Sequence, residues 1–333
     1  MHTSFDFTLP QGDPLGVLSS TAPLAQAGRH VRIEAAAVEA FAAAHWNDPA
    51  PRHAETALHA TFLEPRRFLN YLLALESLNF SFWDDEPRWR VPYQGARHDG
   101  YWALVAALHR ALKVDGVPLW DARWLAGLRG AELELLLRGE GHAPPLMESR
   151  LANLREAGQV LQSRWNGEFA NLVVSCGGEA VRLVRRIAEE FSSFRDEVRH
   201  EGRMVRFYKR AQITVADLSR LLPGEPLARF SGLERLTAFA DYKVPQVMRR
   251  EGMLVLDEAL ARTVDKMVEL RPGSEEELAI RAATVWACEW LTRAVSARRG
   301  APVLAADVDF LLWSAGQDKR GLAPYHRTRT VYY

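Results

Sequence analysis

Apolar residues along this chain recur mainly at three- and four-residue spacing, the period of a helix with one buried face. Phe68, Tyr71, Leu72, Leu75 and Leu78 trace such a stripe and predict a helix running into Asn79. Tyr101, Leu104, Val105, Leu108 and Leu112 trace a second, and Met147 to Trp165 and Glu179 to Phe191 are further long candidates. Val31 to Trp46 is rich in Ala and unbroken by Pro or Gly, so the whole run predicts a helix. The clearest signal begins at Ser274, which forms a capping-box pattern with Glu277, while Glu275 and Glu276 put negative charge on the first turn. Ile280, Ala283, Ala287, Trp290, Leu291 and Ala294 continue it on one face as far as Arg298 and Arg299, and Gly300 is placed to end it.

Strand signals are few. Asn171–Ser175 and Arg203–Phe207 are short β-branched or aromatic runs that could pair, and no strand–helix alternation of a parallel-sheet fold is visible. The first thirty residues, rich in Pro, Gly, Ser and Thr, read as an irregular lead-in. No repeat, low-complexity tract or clear linker divides the rest. The expectation is an all-α chain, mostly helical with few short strands, made of a lead-in over 1–30 and one helical domain over 31–333.

Composition narrows the function more than the fold. Of 333 residues, 48% are apolar and 25% charged, ordinary values for a globular protein with a sizeable core. The 42 basic and 42 acidic side chains cancel, which argues against a general polyanion binder, whose affinity rests on a basic surplus. Cys176 and Cys288 cannot build a disulfide framework and fit a reducing compartment. No apolar stretch is long enough to span a bilayer and no secretory signal is evident, so a cytoplasmic protein without membrane partners is expected.

The usual catalytic signatures are missing. His53 and His59, six apart, do not share a helical face, and no HExxH, CxxC or tight His–carboxylate cluster appears, so neither metal nor cofactor is expected. Cys176-Gly177-Gly178 lacks a full phosphate-loop pattern and reads better as a turn entering a helix.

Chemistry concentrates in three dense segments instead. Leu78-Asn79-Phe80-Ser81-Phe82-Trp83-Asp84-Asp85 is either an aromatic loop anchored in the core or a planar-ligand pocket, with rings that stack a base and polar groups that read its edge. Taken alone, the segment favours the core. In Phe207-Tyr208-Lys209-Arg210-Ala211-Gln212, two cations stand at the start of a helix, the wrong end for the macrodipole unless they hold a phosphate. In Phe239-Ala240-Asp241-Tyr242-Lys243-Val244-Pro245-Gln246, Asp241 precedes a Pro-marked helix start, where it is either an N-cap or a carboxylate held beside a sugar carbon. Three aromatics among the last nine residues argue that the C-terminal tail is docked, which would fix His326, Arg327 and Arg329 where they suit a phosphate.

These segments resemble the queuosine salvage protein family, the queuosine-nucleotide N-glycosylases. The resemblance rests on LNFSFW at 78–83, FRDE at 194–197, FYKRAQ at 207–212 with Val215-Ala216-Asp217, ADYKVPQ at 240–246 and HRTR with the final YY. It covers most of the chain from about residue 30, and Lys243 stands where the family often has Arg. The resemblance implies a helical fold similar to helix-hairpin-helix DNA glycosylases and hydrolysis of queuosine 5′-monophosphate to free queuine. It also implies that Asp241 is the catalytic carboxylate.

On that reading Lys209 is a catalytic or ion-pairing partner of Asp241, and Lys209, Arg210, His326 and Arg327 are the cations for the 5′-phosphate. Asn79 and Asp84 are candidates for the base edge, Phe80, Phe82 and Trp83 for its walls, and Tyr242 and Gln246 for further substrate contacts. The expected partner is this small molecule, acted on by a monomer without a stable nucleic-acid complex. The competing readings are a base-excision glycosylase acting on polymeric nucleic acid and a non-enzymatic module that binds a modified nucleoside.

Overall fold

The helical period dominates the computed structural model, which describes residues 5–10, 12–48 and 58–333. His53 lies outside them. In chain order the helices are α1 (Val17–Ala27), α2 (Ala35–His45), α3 (Pro65–Ser77), α4 (Gly100–Lys113), α5 (Ala122–Gly127), α6 (Gly130–Leu136), α7 (Met147–Arg164), α8 (Phe169–Ser175), α9 (Ala180–Glu190), α10 (Lys209–Leu221), α11 (Lys243–Arg250), α12 (Glu258–Asp265), α13 (Glu275–Arg299) and α14 (Ala305–Ala315). The strands are β1 (Val31–Ile33), β2 (Arg90–Tyr93), β3 (Ala96–Asp99), β4 (Glu197–His200), β5 (Arg203–Arg206) and β6 (Leu254–Leu256). They pair antiparallel as β1 with β6, β2 with β3 and β4 with β5.

The residues group into two compact units that interleave along the sequence. One is drawn from Met1–Arg52, Asp196–Gln212 and Gly232–Arg329, the other from His53–Arg195, Ile213–Ser231 and Thr330–Tyr333. A division of this kind leaves no single linker for composition to reveal.

The first unit is organised on α13. Its N-cap Ser274 accepts from Glu277 N and its C-cap Gly300 is left-handed, as the sequence predicts. Leu278, Ile280, Ala282, Ala283, Trp286, Ala287 and Leu291 are all buried, so apolar surface runs around much of the helix, as befits an element packed on several sides. It packs against α1, α2, α11, α14 and β1.

Two expectations change here. The lead-in is not irregular throughout, because α1 occupies 17–27 and buries Val17, Leu18, Thr21 and Ala25 despite Pro23. Trp286 Nε1 donates to Leu18 O (3.3 Å) and Trp290 Nε1 to Asp6 O (2.8 Å), holding the N-terminal segment against α13. The run from Val31 is not one helix either. Its first residues pair with β6, with Ile33 opposite Leu254, and helix begins only at Ala35.

In the second unit α3, α4, α5 and α7 carry the packing, with α7 against α5 and α3. Gly158 of α7 allows the closest approach: a Cβ there would stand 2.3 Å from Ala126 N and 2.5 Å from Ala122 O of α5. Asn171–Ser175 is the end of helix α8 rather than a strand. The helix is started from outside its own sequence, by Asn70 Oδ1 accepting from Phe169 N (2.7 Å). The turn at 176–178 does lead into a helix, α9, whose N-cap Glu179 accepts from Val181 and Arg182 N.

Candidate active site

Asp241 lies one residue before Tyr242, the N-cap of α11, and is buried. Its Oδ1 accepts from Lys243 N (2.8 Å) and Val244 N (2.9 Å), satisfying two of the N–H groups that open the helix. The N-cap position itself is Tyr242, so Asp241 ties down the helix start from one residue earlier, and it uses one oxygen to do so. Oδ2 takes no part in those two bonds. Burial raises the carboxyl pKa above its usual range, while the Lys209 charge, the two backbone N–H groups and the Lys243 charge oppose that rise. The result is a desolvated carboxylate with one oxygen anchored and a lysine acting on it through space.

Lys209 and Arg210 are the first residues of α10, and both are buried. The unfavourable charge at that helix start is met by Asp196 of the FRDE segment. Asp196 O accepts from Phe207 N (2.9 Å) and Tyr208 N (3.2 Å), and its Oδ2 accepts from Lys209 N (3.2 Å). Three consecutive amides thus converge on one residue, and Tyr208 takes a left-handed backbone (φ 51°) between them. Two further residues of the FYKRAQ and ADYKVPQ neighbourhoods are cross-linked. Gln212 Nε2 donates to Phe207 O (2.8 Å) and Thr237 Oγ1 (2.9 Å), and its Oε1 accepts from Thr237 N (2.8 Å). Phe239 N donates to Asp309 Oδ2 (2.9 Å), so the strand-like approach to Asp241 is pinned along its length.

The other expected residues of this unit are held in defined places. Tyr242 packs its ring on Tyr325 (4.9 Å between centroids), and the Lys243 ammonium lies 5.3 Å from the same ring. Gln246 Nε2 donates to Ala323 O (2.6 Å), so these three side chains grip the segment that leads to the C-terminal motif. Arg327 Nη2 meets Met267 Sδ (3.3 Å), and Arg327 O accepts from Leu270 N (2.7 Å). His326 departs from expectation. It is buried, and desolvation together with the nearby Arg281 charge lowers its pKa to about 3. With no anion beside it, the imidazole is therefore held neutral near pH 7.

The aromatic segment belongs to the second unit. Its organiser is Arg150 of α7, fully buried, which donates through Nη1 to Leu78 O (2.6 Å), through Nη2 to Phe80 O (2.7 Å) and Ser81 O (3.0 Å), and through Nε to Pro145 O (2.8 Å). Its guanidinium also stacks near the Phe80 ring, 4.4 Å from the centroid. Ser81 N donates to Tyr333 O (2.9 Å) and Ser81 Oγ to Thr330 O (2.8 Å), so the tail is docked as its aromatics suggest. Phe80, Phe82 and Trp83 are buried, in keeping with a core-anchored loop. Asp84 is half-buried and accepts from Asp85 N (2.9 Å).

Asn79 Nδ2 donates to Glu76 Oε2 (2.9 Å). Glu76 on α3 and Asp217 on α10 are both buried, and both raise the Tyr101 phenol beyond what burial alone does. Sequence reading missed this buried acidic group. It also missed Arg150 and the part played by Asp196. Each is a charged residue inside an otherwise apolar helix stripe, or within a motif, and that misfit is the signal that could have flagged it.

Among the described residues no group of three or more His, Cys, Asp or Glu is placed to hold a metal ion, and no helix is long and apolar enough to cross a membrane.

Comparison with known proteins agrees with the motifs. The family model described as "Queuosine salvage protein" matches residues 58–333. The Sphaerobacter thermophilus protein named queuosine 5′-phosphate N-glycosylase/hydrolase is 45% identical over 328 residues, 97% of this chain and 99% of its own. Proteins of the same name from Mus musculus and Schizosaccharomyces pombe are 36% and 28% identical, each over 80% of this chain and over 82% and 83% of their own.

Proposed function

This chain belongs to the queuosine salvage protein family, and from that membership we propose that it is an N-glycosyl hydrolase that splits queuosine 5′-monophosphate into queuine and ribose 5-phosphate. The observation that carries the residue assignment is the setting of Asp241, a buried carboxylate with one oxygen fixed by two backbone N–H groups and the Lys209 charge acting on it. Cleavage of a ribosyl C1′–N bond builds positive charge on the sugar, and a desolvated carboxylate beside C1′ stabilises that charge strongly. Oδ2 then orients water and accepts its proton. The hydroxyl joins C1′ and a proton ends on the departing base nitrogen.

Lys209 has a defined task in this scheme. Burial alone drives Asp241 towards its neutral form, which could neither stabilise a cation nor accept a proton. The ammonium of Lys209 opposes that drift, so activity should fall as pH drops through the Asp241 pKa. Lys209, Arg210 and Arg327 supply positive charge for the 5′-phosphate, with neutral His326 limited to a hydrogen bond. Queuine is a 7-deazaguanine and lacks N7, so the departing base is steadied at its pyrimidine edge, the role assigned to Asn79 and Asp84. Phe80, Phe82 and Trp83 are assigned to its walls, and Tyr242 and Gln246 to shaping the sugar side. The same reading carries a monomeric enzyme and a helical arrangement of the helix-hairpin-helix glycosylase kind.

Incubation with queuosine 5′-monophosphate, followed by chromatography for queuine, tests the activity directly. Asp241→Asn should abolish release while the circular dichroism spectrum is kept. Near-normal release by that variant would overturn the assignment.

A further inference from the structure

Arg281, in the second turn of α13, is buried and reaches three separate parts of the sequence at once. Its Nη1 and Nη2 donate to Asp196 Oδ1 (3.0 Å) and Oδ2 (2.6 Å), a two-pronged carboxylate contact. Its Nε donates to Ala240 O (3.1 Å), the carbonyl immediately before Asp241. Its guanidinium lies 3.8 Å from the centroid of the Phe207 ring, two residues before Lys209. Asp196 in turn holds the Lys209 amide. From one side chain, then, rigid connections run both to the backbone of Asp241 and to the backbone of Lys209.

We propose that Arg281, through its clasp on Asp196 and Ala240, is the positioning residue that sets the Asp241 carboxylate and the Lys209 ammonium in register for hydrolysis. The inference rests on the reading of Asp241 given above. An arginine suits the task and a lysine does not. The planar fork occupies both Asp196 oxygens while Nε serves Ala240, and a single ammonium cannot span the same three acceptors. Glu277, one turn earlier on α13, lies 3.6 Å from Arg281 Nη1 and helps to balance its charge. The ionisable groups that bear on Asp241 are Lys209 on α10, Lys243 on α11 and Cys288 on α13, with the Arg281 cation at its preceding carbonyl. Of these, the Lys209 placement depends most directly on the clasp. Loosening it should weaken the charge that keeps Asp241 ionised.

The test is steady-state kinetics of Arg281→Lys on queuosine 5′-monophosphate across pH, with Asp241→Asn run alongside. Misplacement of a catalytic group by ~1 Å can cost roughly a hundredfold. The expected result is a folded protein whose kcat falls by about ten- to a hundredfold, with KM changed less than about threefold. The acid limb of its kcat profile should move to higher pH. If Arg281→Lys does not fold, the double variant Arg281→Met with Asp196→Asn, which removes both charges together, is read by the same criteria. A folded variant with unchanged kcat and pH profile overturns the proposal, as does failure of both variants to fold, which would make the pair purely structural. Retained activity in Asp241→Asn would instead overturn the catalytic reading itself, so the two failures are distinguishable.

Discussion

Replacing Arg150 by Met should destabilise the second unit far more than the loss of one surface charge would. The guanidinium is fully buried and bonds four main-chain carbonyls, those of Leu78, Phe80, Ser81 and Pro145. Each buried acceptor stripped of its donor costs about 1–3 kcal/mol, which would give roughly 4–12 kcal/mol if the carbonyls found no substitute. Against this stands the desolvation cost of the guanidinium, several kcal/mol, which the variant no longer bears. The net expectation is a loss of about 3–5 kcal/mol, the usual result of breaking a buried charged contact from one side. At about 2–4 °C per kcal/mol, the melting temperature should fall by roughly 6–20 °C. Calorimetry and urea unfolding measure the loss, and amide exchange at Phe80 and Ser81 reports whether it is local. Arg150→Lys should recover only part of it, since an ammonium cannot span carbonyls spread over two segments. A loss below about 1 kcal/mol, or exchange protection unchanged at 80–81, would refute the view that this one side chain shapes the aromatic segment.

Three other outcomes follow from individual residues. Asp241→Asn should leave the melting temperature at pH 7 level or higher even as turnover disappears: a carboxyl with a raised folded pKa contributes stability below its unfolded pKa and loses it as pH rises, and the amide can still accept both backbone N–H groups. Gly158→Ala should cost about 1–3 kcal/mol in urea unfolding, because the added Cβ meets backbone of α5 at 2.3 Å, and a gain from helix propensity would contradict that packing. His326 and His59 are held neutral with pKa values lowered to about 3 and about 4, so the unfolded chain binds more protons below the ordinary histidine value. Stability should therefore fall with acid from about pH 6.5 downward, by on the order of 1.4 kcal/mol per pH unit for each histidine, and His326→Gln should flatten the slope by one proton's worth.

What the sequence made legible is what local rules decide. The caps at Ser274 and Gly300 and the stripes of α3 and α4 depend on neighbours within a few positions, and all stand where their spacing puts them. The misread elements depend on distant residues. Val31–Ile33 becomes a strand because β6 offers its edge, and Asn171–Ser175 becomes helical because Asn70 satisfies the first amide. In the site, Asp241 and Lys209 were visible through motif chemistry, whereas Asp196 and Arg281 act through contacts across long stretches of chain. No period or spacing announces those. The charge state of His326 depends on burial, which a docked tail confers and sequence alone does not reveal.

The two cations at the start of α10 bring these points together. Placed at a helix N-terminus they oppose the macrodipole, a cost of a few tenths to about 1 kcal/mol each, and burial adds to it. The chain does not avoid that cost. It surrounds it with the Asp196 carboxylate on the Lys209 amide, a left-handed Tyr208, and Arg281 clamping Asp196 from behind. A fold concerned with stability alone would put an Asp or Ser at the helix start and leave the lysine in solvent. On the proposed reading, retaining Lys209 buried, where its charge opposes the push of burial on Asp241 towards neutrality, keeps that carboxylate ionised. The unfavourable charge at the start of α10 and the buried carboxylate of Asp241 are then two sides of one arrangement, and relieving either should reduce turnover more than it reduces stability.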